Sequence, residues 1–221
     1  MFIDREKYLS HIKNEEQILN MRKVMDKIEI VLNSHNMEYT NFLNPYERRL
    51  AISILNGVDC VSYLEDGGFE EAERKIIAIF PNYYSFDIGN SPITPLLISG
   101  DVSKLSHSDF LGAILNLGIS REKVGDILLH EDDAQVIVDS YISRYIIENL
   151  NRVNKKNVTV NIIPREKLIK GSESFKEITF TLPSLRLDNV ISNTYKISRK
   201  ESISIIRNGK VKVNWEPIEK I

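Results

Sequence analysis

A single cysteine, Cys60, in 221 residues leaves no partner for an intramolecular disulfide and no set of thiolates for a metal cluster. A reducing compartment suits such a chain. No apolar run approaches the ~18 residues that a membrane span needs. The opening Met1-Phe2-Ile3-Asp4-Arg5-Glu6-Lys7 lacks the apolar centre of a signal peptide. A cytoplasmic protein with no membrane contact is expected. The four histidines, His11, His35, His107 and His130, are scattered without metal-ligand spacing. Glu131, Asp132 and Asp133 read as a charged turn, and His107 near Asp109 as first-turn helix chemistry. Gly67-Gly68 falls in a hairpin turn, not in a phosphate loop after a strand. These absences argue against a cofactor, a metal and a small-molecule substrate. Net charge is also lacking, at −2.

That small sum hides an asymmetry. From Leu185 to Ile221 there are eight Lys and Arg against four Asp and Glu, a balance of +4. The remaining 21 bases and 27 acids leave −6. A basic tail on an acidic body is a pattern of nucleic-acid binders, and equally of a solvated tail. With 42% hydrophobic and 27% charged residues, the whole is a globular composition, long enough for one large domain or two or three small ones.

Residues 1–57 read as a helical N-terminal region. Asn14 and Gln17 form a capping pair, and Ile18, Met21, Met25, Ile28 and Leu32 line one helical face. The methionines read as core packing. Asn44-Pro45-Tyr46-Glu47 opens another helix that carries Arg48 and Arg49 on a solvated face. It ends near Asn56-Gly57, with Gly57 as a left-handed cap.

Residues 58–182 then read as an α+β domain. Asp59–Leu64 and Arg74–Phe80 are predicted strands. After a loop come strand Pro95–Ser99, helix Ser106–Leu117, strands Asp126–His130 and Ala134–Val138, helix Tyr141–Leu150 and strand Val158–Ile163. That order, β-α-β-β-α-β, is ferredoxin-like and RRM-like. An RNA-recognition motif stacks bases on aromatics of its sheet, but the third strand here is Ala134-Gln135-Val136-Ile137-Val138. The domain is therefore expected to be a scaffold or protein-contact surface. Arg152, Lys155 and Lys156 are its candidate backbone contacts. Glu177–Leu182 is a last predicted strand, and Pro183 marks a boundary.

Residues 183–221 read as helix, helix, strand. Leu187, Val190 and Ile191 share a face of the first helix. Ser198 and Glu201 have the spacing of a capping box at the second. Ile203 and Ile206, helped by Ile205, pack it inward, and Gly209 ends it. Val211, Val213 and Trp215 alternate with Lys210, Lys212 and Asn214. Arg199 and Lys200 lie in the first helical turn, where positive charge is unfavourable by up to about 1 kcal/mol. An anion would reverse that cost, because unpaired backbone N–H groups gather at the same end. RNA phosphates fit, with Arg186, Arg207, Lys210 and Lys212 in the same small unit.

Arg186-Leu187-Asp188, Ser198-Arg199, Ile206-Arg207-Asn208-Gly209, Val211 and Val213-Asn214 closely resemble the S4 RNA-binding domain. Trp215 stands where many S4 domains have glycine. The Val213-Asn214-Trp215 ending, Phe110-Leu111-Gly112-Ala113 through Gly118-Ile119, and Gly125-Asp126-Ile127 resemble the YlmH family of bacterial S4 proteins. The resemblance implies RNA contacts at Arg186, Arg199, Lys200, Arg207, Lys210, Lys212 and Asn214. It further implies structured rRNA or tRNA as partner and association with the large ribosomal subunit, including subunits that carry stalled peptidyl-tRNA. S4 domains usually continue through a further strand pair, so this module is expected to be incomplete at Ile221.

S4 domains also occur on enzymes. In pseudouridine synthases an R-L-D triplet supplies the nucleophile; here the S4 pattern follows, so Asp188 reads as a first-turn helix residue. Tyrosyl-tRNA synthetase signatures are absent. A non-enzymatic binder of structured RNA is the leading expectation. A protein-interaction scaffold in cell division is the alternative, and an RNA-modifying enzyme the third reading.

Overall fold

The computed structural model describes residues 4–10, 12, 14–171 and 176–220. The chain divides into two compact units, residues 1–172 and 173–221.

In the first unit, α1 (Arg5–Leu9) precedes α2 (Glu15–Ser34). The Asn14 side chain accepts the Gln17 N–H at 3.1 Å, which satisfies a donor that the first turn leaves unpaired. Met21, Met25 and Ile28 are fully buried, with Ile18 and Leu32 at the edge of the same core. β1 (Glu38–Tyr39) follows, then α3 (Pro45–Leu55), whose Asn44 and Glu47 form a reciprocal capping box. Gly57 is not a left-handed cap. Asn56 closes α3 in a right-handed conformation, and a side chain at Gly57 would meet the Tyr8 hydroxyl, its Cβ 2.0 Å away. Space, not dihedral freedom, selects this glycine.

β2 (Val61–Asp66) and β3 (Ile76–Pro81) pair antiparallel, and β1 adds to the other side of β3. β3 is central and apolar throughout because both of its faces are covered. Ile77 and Ile79 pack under α2 and α3; Ile76 faces Phe42, Ile93, Leu128 and Ile137. The division at residue 57 sets these two strands apart from the helices, whereas their hydrogen bonds and packing join them to β1, α2 and α3.

β4 (Ile93–Gly100), α4 (His107–Leu115), β5 (Val124–Leu129), β6 (Asp133–Asp139), α5 (Ser140–Asn149), β7 (Arg152–Val153) and β8 (Lys156–Ile162) complete the unit. The sheet order is β5-β6-β4-β8-β7, all antiparallel, as the ferredoxin-like pattern demands. Phe110, Ile114, Ile146 and Leu150 cover one face, over Leu96, Ile98, Val136 and Val138. Glu131 and Asp132 lie in the exposed β5–β6 turn, as read.

The second face is also covered, which the sequence did not reveal. Phe42 and Ile76 pack on Ile93, Leu128 and Ile137. The buried Gln135 amide donates to the Lys167 carbonyl and accepts from the Ile169 N–H, each at 2.9 Å. The Arg165 guanidinium pairs with the buried Asp66 carboxylate. Residues 165–171 thus lie across the face on which an RNA-recognition motif stacks bases. Residues 177–182 form no strand. Ile178 and Phe180 are exposed, and no strand among the described residues pairs with this segment. Alternation alone supplies side-chain pattern but not the neighbouring backbone that a strand requires.

The second unit holds α6 (Leu187–Tyr195), α7 (Arg199–Arg207), β9 (Val211–Val213) and β10 (Glu216–Ile218). β10 is an addition to the expected helix, helix, strand order. Among the described residues, no helix is long and apolar enough to cross a membrane.

Candidate nucleic-acid interface

Ile191 of α6 and Ile206 of α7 supply the buried apolar contact of the second unit, and Ile206 is fully buried. Two polar residues are as deeply buried. Asp188, in the first turn of α6, and Ser202, in α7, have no exposed surface. The Ser202 hydroxyl lies 3.0 Å from the Asp188 carbonyl and 2.9 Å from that of Arg199, so it fastens α7 to α6.

The Asp188 carboxylate is held between two guanidinium groups. Arg186 Nε donates to Oδ1 at 3.0 Å, and Arg199 Nε donates to Oδ2 at 2.7 Å. These bonds hold its pKa below the ordinary carboxylate value; the Arg199 bond contributes most, then Arg186, against the opposing effect of burial. A charge so deeply buried persists only when its partners reach it. Each partner uses one Nε–H for this and stays half out of the protein, with Arg186 52% and Arg199 59% exposed along the side chain.

Asp188 is therefore more than a first-turn helix residue. It orients the two arginines that the R-L-D and S-R motifs place 13 positions apart in sequence. The signal was present, in an acid two residues after one motif arginine, but pairing with the second depends on how α6 and α7 pack.

At the α7 N-terminus Ser198 accepts the Glu201 N–H at 3.2 Å. Lys200, Arg207, Lys210 and Lys212 are all exposed, and none takes an ion-pair partner among the described residues. Lys200 and Arg207 lie near opposite ends of α7, ~10 Å apart along the axis at 1.5 Å per residue. The candidate cations thus form two groups. Arg186, Arg199 and Lys200 gather at the start of α7; Arg207 at its end is followed by Lys210 and Lys212 on the hairpin. The Lys210 N–H bonds the Ile205 carbonyl at 3.2 Å, tying hairpin to helix.

The hairpin corrects the expected alternation. Val213 pairs with Glu216, which leaves Asn214-Trp215 as a two-residue loop with φ of 49° and 70°. Two left-handed residues in such a loop match the twist of a hairpin. Asn tolerates that conformation, whereas Trp normally does so at a cost of roughly 1 kcal/mol. Trp215 therefore does not continue the Val211–Val213 face. It turns back, and the Lys212 ammonium sits 5.8 Å from its ring centroid. Asn214 stands exposed at the tip.

Of the other cations read from the sequence, Lys155 is exposed and takes no ion-pair partner among the described residues, and the rest are engaged within the fold. Arg48 is ion-paired with Glu65, and Arg49 stacks over Tyr46 at 5.5 Å. Lys156 pairs with Asp101, and Arg152 Nε donates to the Asn157 side chain at 3.0 Å. Asp109 caps Ser106, and burial, with Arg121 nearby, lowers the pKa of His107. Among the described residues, no group of three or more His, Cys, Asp and Glu is placed to hold a metal ion.

A helix pair followed by a hairpin, with cations clustered on its surface, defines the class of S4-domain proteins, and residues 185–221 match the S4 domain. Family models agree along most of the chain: the YlmH N-terminal region over residues 16–84, the putative RNA-binding domain in YlmH over 98–167, and the S4 domain over 185–221. The chain belongs to the YlmH family. It is 28% identical over 211 residues to ribosome-associated protein quality control protein P2 of Bacillus subtilis (strain 168), covering 95% of this chain and 81% of that relative. It is also similar to the solved structure of cell division protein ylmH from Streptococcus pneumoniae. That match has a TM-score of 0.61 and 25% identity, and covers 71% of this chain and 97% of the other.

Proposed function

We propose that this protein binds structured RNA without catalysing a reaction, and acts in the cytoplasm on ribosomal or transfer RNA at the large ribosomal subunit, including subunits stalled with peptidyl-tRNA. The observation that carries the reading is the buried Asp188 carboxylate, which holds Arg186 and Arg199 half-exposed beside Lys200. The carboxylate fixes two guanidinium groups, and with Lys200 beside them the cluster carries a net charge of +2 toward an anion. Arg207, Lys210, Lys212 and Asn214 extend it toward the hairpin, and such phosphate contacts would set the protein's register on the RNA. Recognition would rest on shape and phosphates. The relative's description as ribosome-associated supports the choice of partner.

The test is filter binding of 23S rRNA fragments and tRNA to the full chain and to Lys200→Glu/Lys210→Glu/Lys212→Glu, followed by co-sedimentation with purified subunits. Affinity unchanged by the triple substitution would sink the site. The acidic body, and the description of the pneumococcal relative as a cell-division protein, favour a second reading as a protein scaffold. Partners that remain bound after RNase treatment of a pull-down would support it; partners lost with the RNA would not.

A further inference from the structure

The middle domain carries a groove that the S4 reading does not use. It lies between α4 and the segment running from the end of α5 into β7 and β8, and has a volume of about 920 Å³. Five asparagines line it: Asn116, Asn149, Asn151, Asn154 and Asn157. The fold holds one half of several amides and leaves the other half over. Asn149 Nδ2 donates to the Tyr145 carbonyl at 2.8 Å, and Asn154 Nδ2 to Asp109 at 3.2 Å. Asn157 Oδ1 accepts from Arg152. The remaining Oδ1 of Asn149 and Asn154, and Nδ2 of Asn157, are oriented acceptors and a donor. Gly112 opens the wall, since a Cβ there would meet nothing within 4 Å.

A row of α5 residues leads to this groove. Tyr141, Tyr145 and Asn149 are spaced four apart on one helical face. Tyr141 is 91% exposed and Tyr145 48% exposed, and the Tyr145 hydroxyl reaches the Leu117 carbonyl at the groove wall. Exposed aromatic rings beside amides are the pairing that reads single-stranded RNA: bases stack on the rings while amides bond the base edges. The opposite face of the sheet, where ferredoxin-like RNA binders do this, is closed by Phe42, Ile76 and residues 165–171.

We infer that the α4–α5 groove and the exposed tyrosine row of α5 beside it form a second, independent RNA site for a single strand, whose bases stack on Tyr141 and Tyr145 outside the groove while the groove asparagines bond the edges of the bases that follow. It stands apart from the S4 site, in chemistry as well as in unit. One site grips phosphates and depends steeply on salt; the other grips bases and depends on it weakly.

The test uses the full chain with Lys200→Glu/Lys210→Glu/Lys212→Glu as background, probed by anisotropy with fluorescent ten-nucleotide oligo(A) and oligo(U). Residual binding with shallow salt dependence is expected. Tyr141→Ala and Tyr145→Ala each weaken it about tenfold, the loss of one stacked base. Gly112→Leu, which fills the groove from a position with open space around it, weakens it at least as much while the thermal midpoint holds. Ultraviolet crosslinks map to Tyr141 or Tyr145. Absence of residual binding, an unchanged affinity in Gly112→Leu, or crosslinks confined elsewhere would each overturn the inference. Failure of the S4 reading is a different result: structured RNA bound equally well by the background chain and the unaltered one.

Discussion

Salt dependence offers the sharpest test of the proposed phosphate-binding surface. Six cations are assigned to it: Arg186, Arg199, Lys200, Arg207, Lys210 and Lys212. Neutralising one phosphate releases condensed counterions, and each contact contributes about −0.7 to −0.9 to the slope of log K against log salt. If all six engage, the slope is about −4.2 to −5.4, so raising salt from ~50 to ~200 mM lowers affinity by ~340- to 1,800-fold. Lys200, Lys210 and Lys212 are half of the set. All three are exposed and take no ion-pair partner among the described residues, so replacing Lys200 or Lys210 should change stability by no more than about 0.5 kcal/mol each, and replacing Lys212, which lies over the Trp215 ring, by about 1 kcal/mol at most. Filter binding of a structured rRNA fragment at five salt concentrations gives the slope, and a thermal melt checks the fold. The triple Glu variant should bring the slope to about −2 to −3 while still melting cooperatively. A wild-type slope shallower than −2, or a slope that the variant leaves unaltered, refutes the assignment.

Three further outcomes follow from the packing and the charges. Ile206→Ala removes the fully buried anchor of a small unit at a cost of about 2–5 kcal/mol, so hydrogen exchange should collapse across residues 185–220 while residues 14–171 stay protected. Asp188 has a folded pKa below its ordinary value of 3.8, so its stabilisation is complete above that value and is lost as pH falls through the folded-state pKa; Asp188→Asn should abolish this acid limb in a pH series of hydrogen exchange or proteolysis of the second unit. Two glycines should respond in opposite directions to alanine. Gly112→Ala gains up to about 1 kcal/mol of helix propensity in open space, whereas Gly100→Ala, at φ 153° with its Cβ 2.6 Å from the Asn157 carbonyl, lowers the thermal midpoint of the first unit.

Local chemistry made much of this fold legible in the chain. The caps at Asn14, Asn44 and Ser198 act over three residues, so the spacing alone located the helix starts. The β-α-β-β-α-β order was likewise readable, because each element has its own period and its own turn. The motif cations Arg186, Arg199, Lys200, Arg207, Lys210 and Lys212 were identified by position in a short pattern, and all of them are exposed.

What the chain did not disclose depends on partners distant in sequence. Glu177–Leu182 has a strand's alternation but no neighbouring strand to bond among the described residues. Gly57 is required by Tyr8, about 50 positions away, not by its own dihedral angles. Gln135 looked like a polar residue in an apolar strand, and only the return of residues 165–171 shows it closing the sheet. Asp188 is the sharpest case. The sequence determined that two arginines and an acid stand at the starts of two helices. Tertiary structure alone decided that the acid is buried between them, because a carboxylate leaves water only when folding brings both guanidinium groups within hydrogen-bond reach at once.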